Sequence, residues 1–383
     1  MDWSFLIRNK ESLCVTTDSR KVTPGCIFVA LKGEHFDGNQ FVDQARRDGA
    51  EYIISGENAL SELQDLARAW RRELGLPILG ITGTNGKTTT KELCAAVLST
   101  KYNLYYTQGN LNNQLGVPLT LLSITRAHEM AIVEMGASHP GDIRELVEIA
   151  EPNYGLITNV GRAHLQGFGS FEGVQRTKAE LYDYLRAHGG LCFRNTDNPY
   201  LAKMAGNLQT VEYQTGTMPE GTHLVGEYNA ENVQAALCVG RYFGVDEPTA
   251  LQAIRAYVPS NNRSQLMQTE KNTVVVDAYN ANPTSMSAAI NAFRGDTYIL
   301  GGMRELGEYS HLEHQNIVNM LAERKAETVL LVGDEYNQTT APYPIFADVD
   351  ALCAYLQAHP ICGKTVLLKG SRGNQLEKAI PYL

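Results

Sequence analysis

Residues 80 to 91 read GITGTNGKTTTK, three spaced glycines and then a lysine followed by hydroxyl side chains, at the end of an apolar run. These residue types in this order suit phosphate binding. Gly83 and Gly86 let the backbone come close to an anion, and the free N–H groups of a following helix point at it. Lys87 is suited to neutralising β and γ phosphates, and the Thr88 hydroxyl to ligating Mg²⁺. The general phosphate-loop pattern G-x-x-x-x-G-K-[ST] would also need a glycine at position 81, where this chain has Ile81. A plain surface turn is the competing reading, but the sequence around the loop predicts strand, turn and helix, the setting in which a phosphate site is physically reasonable.

Two later segments end in residues that suit the same chemistry. AIVEMGASH puts Glu134 near the carboxyl end of an apolar strand, where ligands collect in open α/β sheets and where a carboxylate can hold Mg²⁺. Such a glutamate can equally be a solvated strand end. LITNVGRAH ends a second buried strand with Asn159 and His164, and a lone histidine is more often structural than a ligand.

The elements that must position these residues follow from the wider pattern. A chain of 383 residues exceeds one ordinary core, so two or three domains are expected. Residues 1–76 form a small α/β unit with strand-like CIFVAL and EYIISG, closed by the helical ALSELQDLARAWRREL. From 77 to 258 the chain alternates strand ILGIT, helix TTTKELCAAVLST, strand AIVEMG, helix GDIRELVEIA and strand LITNV, which implies a parallel sheet covered on both faces. Residues 259–383 repeat the alternation with TVVVDAY, TYILGG, TVLLVG and TVLLKG as strands. The first helix of that part is expected to open at Thr284, whose hydroxyl can cap it. The part resembles a Rossmann-like domain without G-x-G-x-x-G, so dinucleotide binding there is not expected. The fold class is therefore α/β in three domains, the central one a phosphate-loop domain.

Composition narrows the partners. A formal net charge of −9 argues against general nucleic-acid binding, which relies on a basic surface. No apolar run approaches the roughly 18 residues of a membrane span, and the opening MDWSFLIRNKESLC lacks the order of a signal peptide. A cytoplasmic protein is expected. Seven scattered cysteines contain no C-x-x-C pair, so reduced, mostly buried thiols are expected rather than disulfides or zinc.

Several segments together carry a family resemblance. GITGTNGKTTT, TQGNLNNQLGVPLTLL, VEMGASHPGDI, LITNVGRAHLQGFGS, KAELY, DAYNANPTSM and KGSR look like a Mur ligase, and DAYNANPTSM with GFGSFEG favours the dipeptide-adding branch. The shorter family loop G-T-x-G-K-[ST] removes the objection raised by Ile81. The resemblance implies ATP and Mg²⁺ as cofactors and UDP-N-acetylmuramoyl-tripeptide and D-alanyl-D-alanine as partners; the residues give no oligomeric state, and a monomer is the favoured expectation. ATP converts a carboxylate into an acyl phosphate, which an incoming amine attacks, so cations and positioning should dominate the site.

Residue by residue, the resemblance implies that Gly83, Thr84, Asn85, Gly86, Lys87, Thr88, Thr89 and Asn159 serve the nucleotide, with Arg263 of the linker, Asn280 and Asn282 reaching it from the C-terminal domain. Lys87, His164 and Lys178 would be catalytic. Thr88, Glu134, His164 and Lys178 would support metal, Lys178 as a carbamylated lysine; on composition alone it is an ordinary exposed helix lysine. Carbamylation needs a neutral amine, hence a lowered pKa. Ser19 and Arg20 would hold the uridine diphosphate part, Asn112 and Asn113 the muramoyl peptide, and Lys369, Ser371 and Arg372 the incoming dipeptide or phosphate.

Two departures stand out. Between VEYQTGT and HLVGEYNAENV the family has a longer strand-rich stretch, here nearly closed by MPEG at 218 to 221, and Gly302 replaces a common aspartate beside the expected nucleotide cleft. They keep two alternatives open: another Mur-type amide ligase, tripeptide-forming or folylpolyglutamate-like, and a weakened ligase-like module that only binds nucleotide.

Overall fold

The computed structural model describes residues 2–260 and 262–383. Three parallel strands, Val15–Thr16, Ile27–Val29 and Tyr52–Ile54, form the first sheet in chain order. Pairing Val15 with Ile27 sets the preceding residues side by side, and Cys14 and Cys26 are joined as a disulfide with Cα atoms 4.6 Å apart. The expectation of reduced thiols throughout is corrected there: strand register, invisible in the cysteine spacing, brings this pair together. The other five cysteines are free, and all but Cys362 are buried.

Helix Ala59–Leu74 buries Leu63, Leu66, Ala67 and Trp70, one apolar stripe at helical spacing, and ends at Gly75 in the left-handed region. The stripe packs into the same core as Leu121, Leu122, Leu146 and Val147 of the central helices. Polar contacts add to this: the Trp70 indole donates to the Ile124 carbonyl at 2.8 Å, and Arg71 Nη2 to Asn153 Oδ1 at 2.9 Å. The helix that closes the first segment is thereby a wall of the central one.

The central sheet has six parallel strands in the order Leu104–Tyr106, Met130–Glu134, Ile78–Thr82, Tyr154–Ile157, Leu191–Asn195 and Gln209–Tyr213. The first and the last two extend the sheet beyond the sequence expectation. Ile78–Thr82 is buried at all five positions, as a central strand covered on both faces must be. Helices Lys87–Leu98 and Asn229–Tyr242 cover one face; Asp142–Ala150 and Phe171–Ala187 cover the other. Register pairs Ile81 with Glu134 and Thr82 with Ile157, so the glycine loop, Glu134 and the Thr158–Asn159 turn leave the sheet at one edge. Residues 214 to 222 are an irregular connection that leaves the outermost strand after Tyr213.

The C-terminal sheet runs Gln265–Gln268, Thr273–Asp277, Thr365–Lys369, Thr297–Gly301, Thr328–Val332 and Ile345–Phe346, with only the first strand antiparallel. Its first helix is Pro283–Ala292, and its cap differs from expectation. Asn282, not Thr284, caps it, in a reciprocal capping box with Ser285. Pro283 takes the first helical position, where its fixed φ and missing N–H cost nothing, and that choice moves the cap one residue ahead of it. Thr284 is thereby free to accept a hydrogen bond from the Arg162 backbone N–H at 3.0 Å, across to the central domain.

Candidate active site

A cavity of about 670 Å³ opens at the carboxyl edge of the central sheet and is closed from above by the C-terminal domain. The glycine loop forms its floor. Gly83 has φ 143°, and a Cβ there would lie 1.9 Å from Thr158 Oγ1; Gly86 has φ 79°, and its Cβ would lie 2.4 Å from Asn232 Oδ1. Both positions exclude other residues on backbone and space. Lys87 folds along the loop, donating to the Gly83 carbonyl at 2.8 Å and the Thr84 carbonyl at 3.1 Å. Burial lowers its pKa to about 8, against the opposing pull of Glu134. Thr89 lies on the same wall.

Asn159 braces the loop. Its carbonyl accepts from the Thr84 N–H at 2.9 Å, its Oδ1 from the Asn85 N–H at 3.0 Å, and its Nδ2 donates to the Asn85 carbonyl at 3.2 Å. Asn85 then faces Asn282 of the C-terminal domain: Asn282 Nδ2 donates to Asn85 Oδ1 at 2.7 Å. Two residues expected on the nucleotide thus meet each other across the domain junction; Asn85 lines the cavity and Asn282 stands outside its walls.

Glu134 is 1% exposed. Its Oε1 accepts from Asn112 Nδ2 at 2.8 Å and from the Thr88 hydroxyl at 3.2 Å, while its buried Oε2 has no hydrogen-bond partner among the described residues. Those residues contain no group of three or more His, Cys, Asp and Glu side chains able to cage a metal. Mg²⁺ needs no such cage; it takes one or two carboxylates, keeps several waters and accepts substrate phosphates. A buried carboxylate oxygen without a donor, beside a hydroxyl and a phosphate loop, fits it.

The four expected metal-site residues do not form one cluster. Thr88 and Glu134 touch, whereas His164, left-handed with φ 50°, turns Nδ1 to the Glu305 carboxylate of the C-terminal domain. Burial holds the His164 pKa below its ordinary value; Glu305 opposes the shift and the nearby Lys87 and Lys178 cations reinforce it. Lys178, expected as an exposed helix lysine on composition, is 2% exposed, its ammonium 5.8 Å from the centroid of the Phe168 ring. Burial, then the Lys87 charge, push its pKa well below the usual lysine range.

From the C-terminal side, the Arg263 guanidinium stacks on the Tyr279 ring at 3.7 Å. Lys369 is buried and paired with Asp277 at 2.6 Å, and also donates to the Asn280 carbonyl at 3.3 Å. Arg263, Asn280, Lys369, Asn112 and Asn113 all line the cavity. Asn113 Oδ1 accepts from the Gly116 N–H at 2.9 Å, which starts helix Gly116–Leu122. Ser371, Arg372, Ser19 and Arg20 stand outside the cavity walls. Ser371 Oγ is buried without a partner among the described residues, Arg372 pairs with Glu377, and Arg20 pairs with Asp18 beside Ser19 in the first domain.

Sequence reasoning passed over Asp277, Glu305 and Lys91. Asp277 was readable by the signal that marked Glu134, a carboxylate ending an apolar strand. Glu305 and Lys91 carry no local signal. Gly302 also turns out differently from its expected place beside the nucleotide cleft. It does not line the large cavity, and a Cβ on it would lie 2.4 Å from Glu335 Oε2, so the Glu335 carboxylate fills the space that a side chain at 302 would take.

The chain matches three family descriptions: "Mur ligase family, catalytic domain" over residues 13–92, "Mur ligase middle domain" over 81–221, and "Mur ligase, glutamate ligase domain" over 262–372. It is 32% identical to the UDP-N-acetylmuramoyl-tripeptide--D-alanyl-D-alanine ligase of Bacillus subtilis, covering 96% of this chain and 92% of that one, and 32% identical to the ligase of the same name from Escherichia coli, covering 96% and 93%. The Bacillus alignment spans 426 positions, more than the 383 residues present here, so that relative carries residues this chain lacks. Among solved structures, MurF from Thermotoga maritima in complex with ADP superposes with a TM-score of 0.87 at 27% identity, covering 98% of each chain. MurF from Acinetobacter baumannii gives 0.85 at 28%, covering 96% of this chain and 92% of the other. A three-domain α/β fold, a phosphate loop beneath a two-domain cleft and relatives of this similarity lead to one conclusion: the chain belongs to the Mur ligase family, in its MurF-type branch.

Proposed function

We propose that the protein is an ATP-dependent ligase that joins D-alanyl-D-alanine to UDP-N-acetylmuramoyl-tripeptide in peptidoglycan precursor synthesis, working in the cytoplasm as a monomer with domains 1–76, 77–258 and 259–383. The observation that carries this reading is the cavity itself. It gathers Lys87, the Glu134 oxygen left without a hydrogen bond, Arg263 and Lys369 around one space large enough for a nucleotide and a second reactant.

The substrate carboxylate attacks the γ-phosphorus of ATP, giving an acyl phosphate and ADP. The amine of the dipeptide then attacks the acyl carbon, an amide forms, phosphate leaves and the nitrogen loses its proton. Thr88 and Glu134 would hold Mg²⁺, which when bound neutralises phosphate charge during transfer. Lys87 does the same from the loop, and the loop amides hold the anion by their N–H groups. Arg263, flat against Tyr279, would clamp the nucleotide from the C-terminal side. Asn112 orients Glu134 from the segment that would face the muramoyl peptide. Ser19 and Arg20 would hold the uridine diphosphate end, and Ser371 and Arg372 the dipeptide.

Lys178 is read as the carbamate lysine. Its amine would add to CO₂ and release a proton, and burial, which favours the neutral amine, supports this. His164 and the carbamate would then lie on the acyl-phosphate side of the cleft.

The test is phosphate release in the presence of UDP-muramoyl-tripeptide, ATP and Mg²⁺, comparing D-alanyl-D-alanine, a diamino acid and glutamate as amines. Release dependent on the dipeptide is expected. Release with a free amino acid alone would overturn the assignment.

A further inference from the structure

Lys91, one turn into the helix that follows the phosphate loop, is fully buried. Its Nζ donates to the Thr107 carbonyl at 2.7 Å, lies 3.2 Å from Glu92 Oε1 and 3.7 Å from Glu134 Oε2, and stands 5.7 Å from the centroid of the Tyr106 ring. The second distance to a carboxylate is decisive. It is too long for a hydrogen bond, so Oε2 keeps its lone pairs, yet short enough for a strong Coulomb interaction in a buried setting. Thr107 closes the arrangement, because its hydroxyl accepts from the Glu134 N–H at 3.0 Å. One lysine therefore ties the loop helix, the Thr107 turn and the Glu134 strand together, with its charge directly behind the carboxylate.

We infer that Lys91 makes cation binding at Thr88 and Glu134 depend on nucleotide: its ammonium repels a free divalent cation, which binds well only together with phosphate. A cation on Glu134 Oε2 would stand close to a second positive charge, the Lys91 ammonium buried 3.7 Å behind that oxygen. Such repulsion is weakly screened. The phosphates of a bound nucleotide add negative charge on the other side of the cation and offset it. Lys91 touches no substrate; it is a positioning residue that acts through Glu134. The inference rests on the assignment of Glu134 to the metal in the proposed function.

The test is titration of the full chain with Mn²⁺, followed by electron paramagnetic resonance of the free ion, without and with ADP. The unmodified protein should bind Mn²⁺ at least tenfold more weakly without ADP than with it. Equal affinity overturns the inference. Lys91→Met should bind Mn²⁺ about tenfold or more tightly than the unmodified chain in the absence of ADP, Lys91→Arg should behave like the unmodified chain, and Lys91→Met with Glu134→Gln should lose the gain. A purely structural role for Lys91 predicts weaker binding in the methionine variant. Lys91→Gln, which retains a donor for the Thr107 carbonyl, gives the same readout should the methionine variant fail to fold. A folded neutral variant that binds no more tightly than the unmodified chain refutes the inference. If Glu134→Gln alone leaves ADP-supported Mn²⁺ binding intact, the metal assignment itself fails; if it removes that binding and the neutral variants show no gain, the inference alone fails.

Discussion

Asn282 does two jobs whose energies can be separated. Its Oδ1 accepts from the Ser285 N–H at 2.9 Å, which caps helix Pro283–Ala292, and its Nδ2 donates to Asn85 Oδ1 at 2.7 Å, which joins the C-terminal domain to the phosphate loop. Loss of an asparagine cap costs about 1 kcal/mol, and loss of a neutral, part-buried hydrogen bond costs about 1 kcal/mol more. Asn282→Ala removes both. Asn282→Ser keeps a good capping oxygen but is too short to reach Asn85. Because a three-domain chain need not unfold in one step, the assay is amide hydrogen exchange resolved by segment, with ATP affinity measured by calorimetry. In the alanine variant the first turn of the helix should exchange about fivefold faster, and ATP should bind about fivefold more weakly, each the equivalent of ~1 kcal/mol. In the serine variant helix protection should return while ATP affinity stays low. A serine variant whose helix is as labile as the alanine variant's, or whose ATP affinity is normal, would refute the division of labour.

Three further outcomes are expected. Burial brings the Lys87 pKa down from 10.5 to about 8, so its ammonium, present below that pH, is lost as pH rises through it. Calorimetric ATP affinity should fall above about pH 8 by at most tenfold per unit, and Lys87→Met should give a flat profile over the same range. Lys178→Ala should lose turnover while ATP binding persists, with partial rescue by a small carboxylic acid; unchanged turnover would remove the carbamate role. Gly302→Asp should destabilise the C-terminal domain by about 1 kcal/mol or less, since the Glu335 carboxylate in its way ends a flexible, half-buried side chain that can turn aside, and Glu335→Ala in the same chain should recover most of the loss in denaturant melts. Additive losses would show that the two side chains do not compete for that space.

Much of the site was readable because its parts are local. A glycine loop between a buried strand and a helix can be recognised in twelve residues, and Glu134 and Asn159 follow from apolar runs whose ends must reach one sheet edge. The Thr284 cap was misread for an equally local reason: both residues flanking Pro283 have capping side chains, and the proline settles in favour of Asn282. Lys91 could not be identified, since a lysine four residues beyond Lys87 looks like the solvated face of a helix. Only the packing of the Thr107 turn against that helix buries it.

By itself the sequence determined the α/β alternation, the loop, the family and most of the groups able to meet a nucleotide, because hydrophobic period, backbone permissiveness and side-chain chemistry act over a few residues. The tertiary structure alone decided which of those groups meet. Asn85 with Asn282, 197 positions apart, and His164 with Glu305, 141 apart, are brought together by domain closure. So, at shorter range, are Cys14 with Cys26 by strand register and Lys91 with Glu134 by helix packing. Contacts of this kind are set by whole-element packing, and no short stretch of chain records which distant surface an element will bury.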